Sequence, residues 1–282
     1  MNLALVQPIR SMLVHLDGTD AGATRLAVAR RLAQQRDATL CALFVASPPD
    51  WPMQLALSES PAALLQTTDW AALERAKSAF DDMPTQPGER PMRWIDGSGT
   101  DAVALFREQA LYADLLVLGQ PDLAQAGVGA PAGFAASVLI HTGKPALVVP
   151  LAMSPARAVG RQVLIGWNGS PESAHAVAAA LPWLHAAKHV HVLDATEASR
   201  ENGTGGLDIG QHLAWHGVEP ELHAGGHDGA DAGRDLLSLA AEVGADLLVM
   251  GCYGHSRTRE IMLGGASQTV LREMTLPVLM AH

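Results

Sequence analysis

The sequence is poor in cysteine and in positive charge. Its 282 residues include two cysteines, Cys41 and Cys252, which excludes both a disulfide framework and a cysteine-based zinc cluster. Lysine and arginine number 19 against 29 aspartate and glutamate residues, giving a formal net charge of −10. A chain this acidic is a poor ligand for polyanions. We therefore expect neither nucleic acid nor an anionic membrane surface as a partner.

Long apolar runs and a secretion signal are also missing. No run approaches the roughly 20 apolar residues that a membrane-spanning helix needs. The N-terminal stretch MNLALVQPIRSMLVHLDG has no basic segment followed by an apolar stretch and a small-residue cleavage site. Apolar residues nevertheless make up 48% of the chain, enough to bury a sizeable core. We expect a globular, cytoplasmic protein.

What the sequence does contain is an internal repeat. Residues 113–119 read ADLLVLG and residues 245–251 read ADLLVMG, and the prolines that lead the last apolar strand of each half keep the same offset. A repeat of this length indicates that one structural unit occurs twice. We predict two similar domains, residues 1–152 and 158–282, joined by a Pro/Ala-containing linker.

Strand and helix signals alternate within each half. In the second half the predicted strands are residues 162–166, 190–193, 220–223, 246–250 and 278–281. Short apolar strands that alternate with helices are typical of a parallel sheet covered on both faces. The predicted fold is therefore α/β, with two tandem doubly wound five-stranded parallel-sheet domains of the flavodoxin-like, three-layer αβα kind.

The fifth strand of each half is expected at a sheet edge. An apolar edge carries unpaired backbone groups and invites another strand. We predict that the two fifth strands pair about a pseudo-twofold axis, through Val148, Val149, Leu279 and Met280. The chain would then be an internal pseudo-dimer of its two halves, and a homodimer of whole chains is a further possibility.

The turns after the first and fourth strands are the expected ligand site. In doubly wound sheets a ligand binds where the strand order reverses, at the carboxyl ends of the strands. The second half places Asn168-Gly169-Ser170 after its first strand, and Gly251-x-x-Gly254 and Gly264-Gly265-Ala266-Ser267 after its fourth. Glycines and a helix N-terminus can cradle a polyphosphate. The alternative is that the glycines mark only tight turns and a helix start.

Other familiar site motifs are missing. Neither half has a Gly-x-x-x-x-Gly-Lys-Ser/Thr loop, and neither has Gly-x-Gly-x-x-Gly after its first strand. There is no Gly-x-Ser-x-Gly elbow and no carboxylate pair beside the glycines. The chain is therefore expected to be at most a weak ATP hydrolase, without assigned catalytic residues.

The spacing Gly251-x-x-Gly254-x9-Gly264-x-x-Ser267, followed by Pro277, resembles the C-terminal signature of the universal stress protein family. The resemblance implies a stress-response regulator or sensor that binds an adenine nucleotide, with ATP, with or without Mg²⁺, as the expected ligand. The residues implied to surround the nucleotide are Gly166, Asn168, Val192, Met250, Gly251, Gly254, Gly264, Gly265, Ala266 and Ser267.

The first half departs from this signature. Gln120-Pro121-Asp122 follows its fourth strand, and alanines 132 and 135 replace the matching glycine and serine. We expect nucleotide only in the second half. The alternative is a nucleotide-free interaction scaffold of the same fold, since Gly265 lacks the hydroxyl of the family pattern and Asn168 stands where the family usually has Asp.

Three further groups were weighed as sites. His212 and His216 lie four apart on a predicted helix, but without a third ligand they indicate a solvated helix face. His189 and His191 alternate on a strand and indicate a strand face near the surface. Cys252 would be reactive if a helix N-terminus lowered its pKa, but a small turn residue is the favoured interpretation. No metal site is predicted.

Overall fold

The structure is a computed structural model, and it describes residues 9–46, 61–85, 87–98, 101–122, 129–131, 133–196, 207–225, 230–252 and 265–282. The chain divides into two compact units. The N-terminal unit comprises Ile9–Lys144 and Leu151–Ala156. The C-terminal unit comprises Pro145–Pro150 and Arg157–His282, in addition to Met1–Pro8, which lie outside the described residues.

Strands and helices alternate in the N-terminal unit. Its elements are β1 (Ser11–Leu16), α1 (Asp20–Arg36), β2 (Thr39–Phe44), α2 (Pro61–Asp81), β3 (Arg93–Ile95), α3 (Ala102–Ala110), β4 (Leu115–Gly119) and α4 (Phe134–Thr142). The strand order is β3-β2-β1-β4, and all three pairings are parallel.

The C-terminal unit repeats this plan. Its elements are β5 (Ala146–Val149), β6 (Gln162–Trp167), α5 (Pro171–Leu184), β7 (His189–Asp194), α6 (Ile209–Trp215), β8 (Glu221–Ala224), α7 (Ala230–Glu242), β9 (Leu247–Gly251), α8 (Gly265–Glu273) and β10 (Val278–Ala281). The predicted alternation of strand and helix is confirmed, and the described helices include none that is long and apolar enough to cross a bilayer.

The C-terminal sheet has the order β5-β10-β9-β6-β7-β8. Strands β6, β7 and β8 follow one another to one side, whereas β9 and β10 lie on the other side of β6. The strand order therefore reverses between β6 and β9, the first and fourth strands of the repeat. The N-terminal sheet reverses at the equivalent place, between β1 and β4. Both reversals lie where the sequence predicts them.

Strand β5 pairs antiparallel with β10, whereas the other described pairings of the C-terminal sheet are parallel. Val278 pairs with Val148, Leu279 with Leu147 and Met280 with Ala146. The predicted pairing of the two fifth strands is therefore present. Since β5 belongs to the C-terminal unit, that unit has six strands, one more than the five predicted for each half. The four residues of β10 are buried because β5 and β9 flank them on both sides.

Helices lie on both faces of the C-terminal sheet. A Cβ atom on Gly166 would contact Leu236 of α7, whereas one on Gly251 would contact Glu172 and Ser173 of α5. Gly166 is in register with Met250, the neighbour of Gly251. Because successive residues of a strand point to opposite faces, α5 and α7 must cover opposite sides of the sheet. The fold is doubly wound α/β, as predicted.

Candidate functional site

The turn after β6 is open and well capped. Asn168 and Gly169 are exposed, and Gly169 has φ +71°, the left-handed conformation that favours glycine. The backbone N–H of Ser170 donates to Asn168 Oδ1 at 3.2 Å. Ser170 then caps α5, since its Oγ accepts from the Ser173 N–H at 3.1 Å. The turn thereby presents Asn168 and the start of a helix at the end of the first strand.

Gly251 brings the end of β9 against that helix start. A Cβ atom at this position would lie 2.5 Å from the Ser173 backbone nitrogen and 2.9 Å from Glu172 Cβ. No larger residue fits without displacing the first turn of α5. The glycine that opens the signature is thus required by packing, and the close approach also places the α5 N-terminus at the point where the strand order reverses.

The three residues implied to line an adenine pocket all lie on neighbouring strands. Gly166 pairs with Met250 across β6 and β9, and Val192 pairs with Ile165 across β6 and β7. Met250 and Val192 are buried. Side chains alternate along a strand, so Val192 lies on the sheet face opposite Met250. A ligand contacting all three residues would therefore approach them at the carboxyl edge of the sheet.

Helix α8 begins at Gly265, on the C-terminal side of the signature. Gly265 and Ala266 are partly exposed, whereas the Ser267 side chain is buried. Helix α7 packs closely here, because a Cβ on Gly233 would lie 2.8 Å from the Ala266 carbonyl oxygen. Gly254 and Gly264 lie outside the described residues, as do His255 and two arginines, Arg257 and Arg259.

Cys252 is a buried structural residue. Its thiol donates to the Ala281 carbonyl at 3.3 Å, and its backbone N–H donates to the same oxygen at 2.9 Å. Burial raises the pKa of the Cys252 thiol to about 12, and the Glu172 carboxylate acts in the same direction. The thiol is therefore protonated at neutral pH, which agrees with the structural interpretation of the sequence and not with a reactive thiolate.

The equivalent position of the N-terminal unit is filled by an ion pair. Arg25 Nη2 lies 3.0 Å from Asp17 Oδ2, and both side chains are buried. Arg25 Nε also donates to the His15 carbonyl at 2.6 Å. Its guanidinium lies directly over Gly119, where a Cβ would collide with Nη1. The arginine thus occupies the space between the ends of β1 and β4.

The pKa values of Asp17 and of the adjacent His15 are both shifted. Burial alone would raise the pKa of Asp17, but Arg25, His15 and the Thr19 hydrogen bonds together hold it well below its usual range. Burial, assisted by Arg25, lowers the pKa of His15 to about 4. At neutral pH the unit therefore contains a buried carboxylate neutralised by a buried arginine, beside a neutral histidine.

Helix α2 covers the same turn of the N-terminal unit. Arg75 Nε donates to the Gly18 carbonyl at 2.9 Å, and the Ala72 carbonyl packs against Gly18. The C-terminal counterpart of α2 is the seven-residue helix α6, and the turn at Asn168 and Gly169 remains exposed. The two halves therefore differ at this turn: Asn168 and Gly169 are exposed in the C-terminal unit, whereas Gly18 is covered by α2 in the N-terminal unit.

Sequence reasoning missed one group of side chains. His191, Glu221 and His223 converge on adjacent strands β7 and β8. The sequence signal was a pair of alternating patterns, His-x-His at 189–191 and Glu-x-His at 221–223, but their proximity depends on strand register. By contrast, the ring centroids of His212 on α6 and His216, the residue that follows this helix, lie 4.9 Å apart, and the described residues supply no third ligand there.

The described residues form a doubly wound α/β domain with an exposed turn and a closely packed glycine where its strand order reverses. Residues 160–282 match the model of the Universal stress protein family. No curated protein sequence matches the chain significantly.

Solved structures share the fold over nearly the whole chain. A universal stress protein from Archaeoglobus fulgidus DSM 4304 is 13% identical, with a TM-score of 0.62 and coverage of 96% of this chain and 97% of that one. A protein of unknown function from Pseudomonas aeruginosa PAO1 is 18% identical, with a TM-score of 0.59 and coverage of 98% and 93%. The tandem architecture is therefore shared with proteins of similar length.

Proposed function

We propose that the C-terminal unit binds an adenine nucleotide, ATP in the first instance, and that the N-terminal unit binds none. The chain would then act as a stress-response regulator or sensor with one ligand site. The observation that carries the proposal is the difference between two equivalent turns. Asn168 is exposed beside the α5 N-terminus, whereas Asp17 is buried beneath Arg25.

The chemical groups at the turn of Asn168 and Gly169 support the proposal of nucleotide binding. Asn168 offers an amide donor and a carbonyl acceptor, the pair of groups that can bind either a base edge or ribose hydroxyls. The start of α5 and the start of α8 each contribute a partial positive charge that favours phosphate. Residue Ala176 occupies the position of Arg25 in the repeat, so no side-chain cation from this helix position competes for the space.

A second candidate function is a nucleotide-free scaffold of the same fold. Glu172 favours it, because its Oε2 is buried at the end of β9 without a hydrogen-bond partner among the described residues. A carboxylate at this point repels free phosphate unless Mg²⁺ or a hydroxyl group intervenes. The buried Ser267 side chain is likewise less available to a ligand than the family resemblance implies.

Mass spectrometry of purified, denatured protein separates the two functions. Stoichiometric adenine nucleotide released from the chain supports the binding function, and its absence together with no ATP binding in calorimetry supports the scaffold. In the binding case, Asn168→Ala is expected to weaken ATP binding about tenfold through loss of a hydrogen bond. Asp96→Ala is the control, since Asp96 Oδ1 accepts from the Ser98 N–H in a similar exposed turn of the other unit.

A further inference from the structure

A cluster of three potential metal ligands lies outside the nucleotide site. His191 Nδ1 is 3.1 Å from His223 Nε2 and 3.4 Å from Glu221 Oε2. The third separation, His223 Nε2 to Glu221 Oε1, is 3.9 Å. All three ligand atoms therefore lie within 4.8 Å of one another. The cluster joins two ring nitrogens and one carboxylate at a single point of the sheet.

The strand register creates this convergence. His191 of β7 is directly opposite Glu221 of β8, and His223 follows Glu221 by two residues on the same strand face. Strand β8 is the edge of the C-terminal sheet, and its residues are largely exposed. The three ligands are thus held on a regular backbone at a position that solvent ions can reach.

The spacing suits a tetrahedral ion. Zinc bound at about 2.0–2.1 Å to imidazole nitrogen and carboxylate oxygen holds neighbouring ligand atoms about 3.3 Å apart. The His191–His223 separation of 3.1 Å and the His191–Glu221 separation of 3.4 Å are close to this value. The 3.9 Å separation from His223 is to the other Glu221 oxygen, and Glu221 is exposed, so its carboxylate can rotate to present one oxygen to both histidines. Two histidines with one carboxylate form a ligand set that zinc commonly uses, with a fourth position left for water.

The surroundings favour the ligating forms of these groups. His191 is buried, and a ring nitrogen of a neutral imidazole can offer a lone pair to a metal ion. Glu221 is the acidic member of the cluster and supplies the negative charge that a dication requires. His191 and Glu221 also line a surface groove of about 470 Å³, so solvent reaches two of the three ligands.

We propose that His191, Glu221 and His223 bind a zinc ion at the edge of the C-terminal sheet. This site is separate from the turn at Asn168, and it does not depend on nucleotide binding. The proposal competes with a simpler arrangement in which one imidazole donates a hydrogen bond to the other and Glu221 forms a surface ion pair.

Metal titration of the untagged, full-length protein after chelator treatment tests the proposal. Zinc is expected to bind with one high-affinity equivalent per chain and to raise the unfolding temperature. Cobalt substitution is expected to give the intense visible absorption of a tetrahedral site. Glu221→Gln and His223→Gln, both on the edge strand, are each expected to weaken zinc binding by at least about tenfold.

The double variant His212→Ala/His216→Ala is the matched control, because it removes a neighbouring histidine pair from α6 of the same unit. It is expected to leave the high-affinity equivalent unchanged. Loss of zinc binding in this control, or unchanged binding in Glu221→Gln and His223→Gln, would overturn the proposal. Absence of any high-affinity equivalent in the unmodified protein would overturn it directly.

Discussion

The guanidinium of Arg25 and the carboxylate of Asp17 form a buried ion pair, 3.0 Å apart, in the N-terminal counterpart of the proposed nucleotide site. In the sequence repeat these two residues correspond to Ala176 and Asn168. One half thus has a charged pair where the other has a methyl group and a neutral amide. The difference is the basis of the proposal that only the C-terminal copy binds a ligand.

Removal of Arg25 alone is expected to destabilise the N-terminal unit strongly. Arg25→Ala leaves the Asp17 carboxylate buried without its partner, which costs about 3–5 kcal/mol. The double variant Asp17→Asn/Arg25→Ala, which copies the residues of the C-terminal unit, is expected to lose much less because no buried charge remains. Urea unfolding measures both changes.

Arg90→Ala is the control for that comparison. Arg90 pairs with Asp37 on the surface, where both side chains are about half exposed or more, so its loss should change stability little. Equal destabilisation in the single and double variants of the buried pair would contradict the account, since the cost would then come from lost packing rather than from the unpaired charge.

His15 is expected to make stability depend on pH below neutrality. Its pKa is about 4 in the folded protein against an ordinary value of 6.5. Between these values the unfolded chain binds the proton and the folded chain does not, so stability falls as the pH drops from about 6.5 to about 4. The contribution at stake is about 3 kcal/mol.

Substitution of His15 by Gln should remove this dependence and retain a donor for the Val45 carbonyl, which His15 Nε2 contacts at 2.7 Å. Urea unfolding of both proteins between pH 4 and pH 7 measures the difference. His141→Gln is a suitable control, because His141 is exposed on α4. If the free energy of unfolding depends on pH in the same way in the unmodified protein and in His15→Gln, the prediction is wrong and another group causes the dependence.

Gly265→Ser is expected to strengthen ATP binding if the C-terminal site holds a nucleotide. The substitution restores the hydroxyl that the family resemblance implies at this position, and Gly265 is the first residue of α8, where the backbone is helical and accepts a side chain. A hydrogen bond to a charged oxygen contributes about 1.5–3 kcal/mol, or roughly a tenfold to hundredfold change in affinity. Calorimetry measures the gain, and an unchanged unfolding midpoint shows that the fold is retained. Weaker binding would place the position away from phosphate.

Cys252 is expected to resist alkylation in the folded protein. Its pKa of about 12 and its burial keep the thiol protonated and out of contact with reagent at pH 8. Cys41 is only partly buried and serves as the internal comparison. Mass mapping after iodoacetamide treatment should therefore show modification at Cys41 before Cys252. Rapid modification of Cys252 would indicate that the end of β9 opens in solution.

The sequence predicts most of the fold because its signals are local. The repeated ADLLV segments and the proline-led strands mark β4, β9, β5 and β10 without reference to tertiary contacts. Membership of β5 in the C-terminal unit was not predicted, since it depends on antiparallel pairing between residues far apart in the chain.

In the candidate site, too, local motifs could be predicted from the sequence, whereas contacts between residues on different elements could not. The turn at Asn168 and the glycine at 251 follow from motif spacing. The Asp17–Arg25 pair was missed because it joins a strand end to the second turn of the next helix, and Arg25 belongs to no motif. The cluster of His191, Glu221 and His223 was missed because it requires the register between β7 and β8.

Equilibrium dialysis of the full-length protein against labelled ATP, with and without Mg²⁺, tests the central claim most directly. The account predicts one equivalent of ATP per chain, and a reduced affinity in Asn168→Ala. The double variant Asp17→Asn/Arg25→Ala changes only the N-terminal unit and so tests whether that half affects ATP binding. In the unmodified protein, the single equivalent of ATP is expected in the C-terminal unit. Two equivalents bound to the unmodified chain would contradict the asymmetry between the halves, and no binding under either condition would contradict the nucleotide site itself.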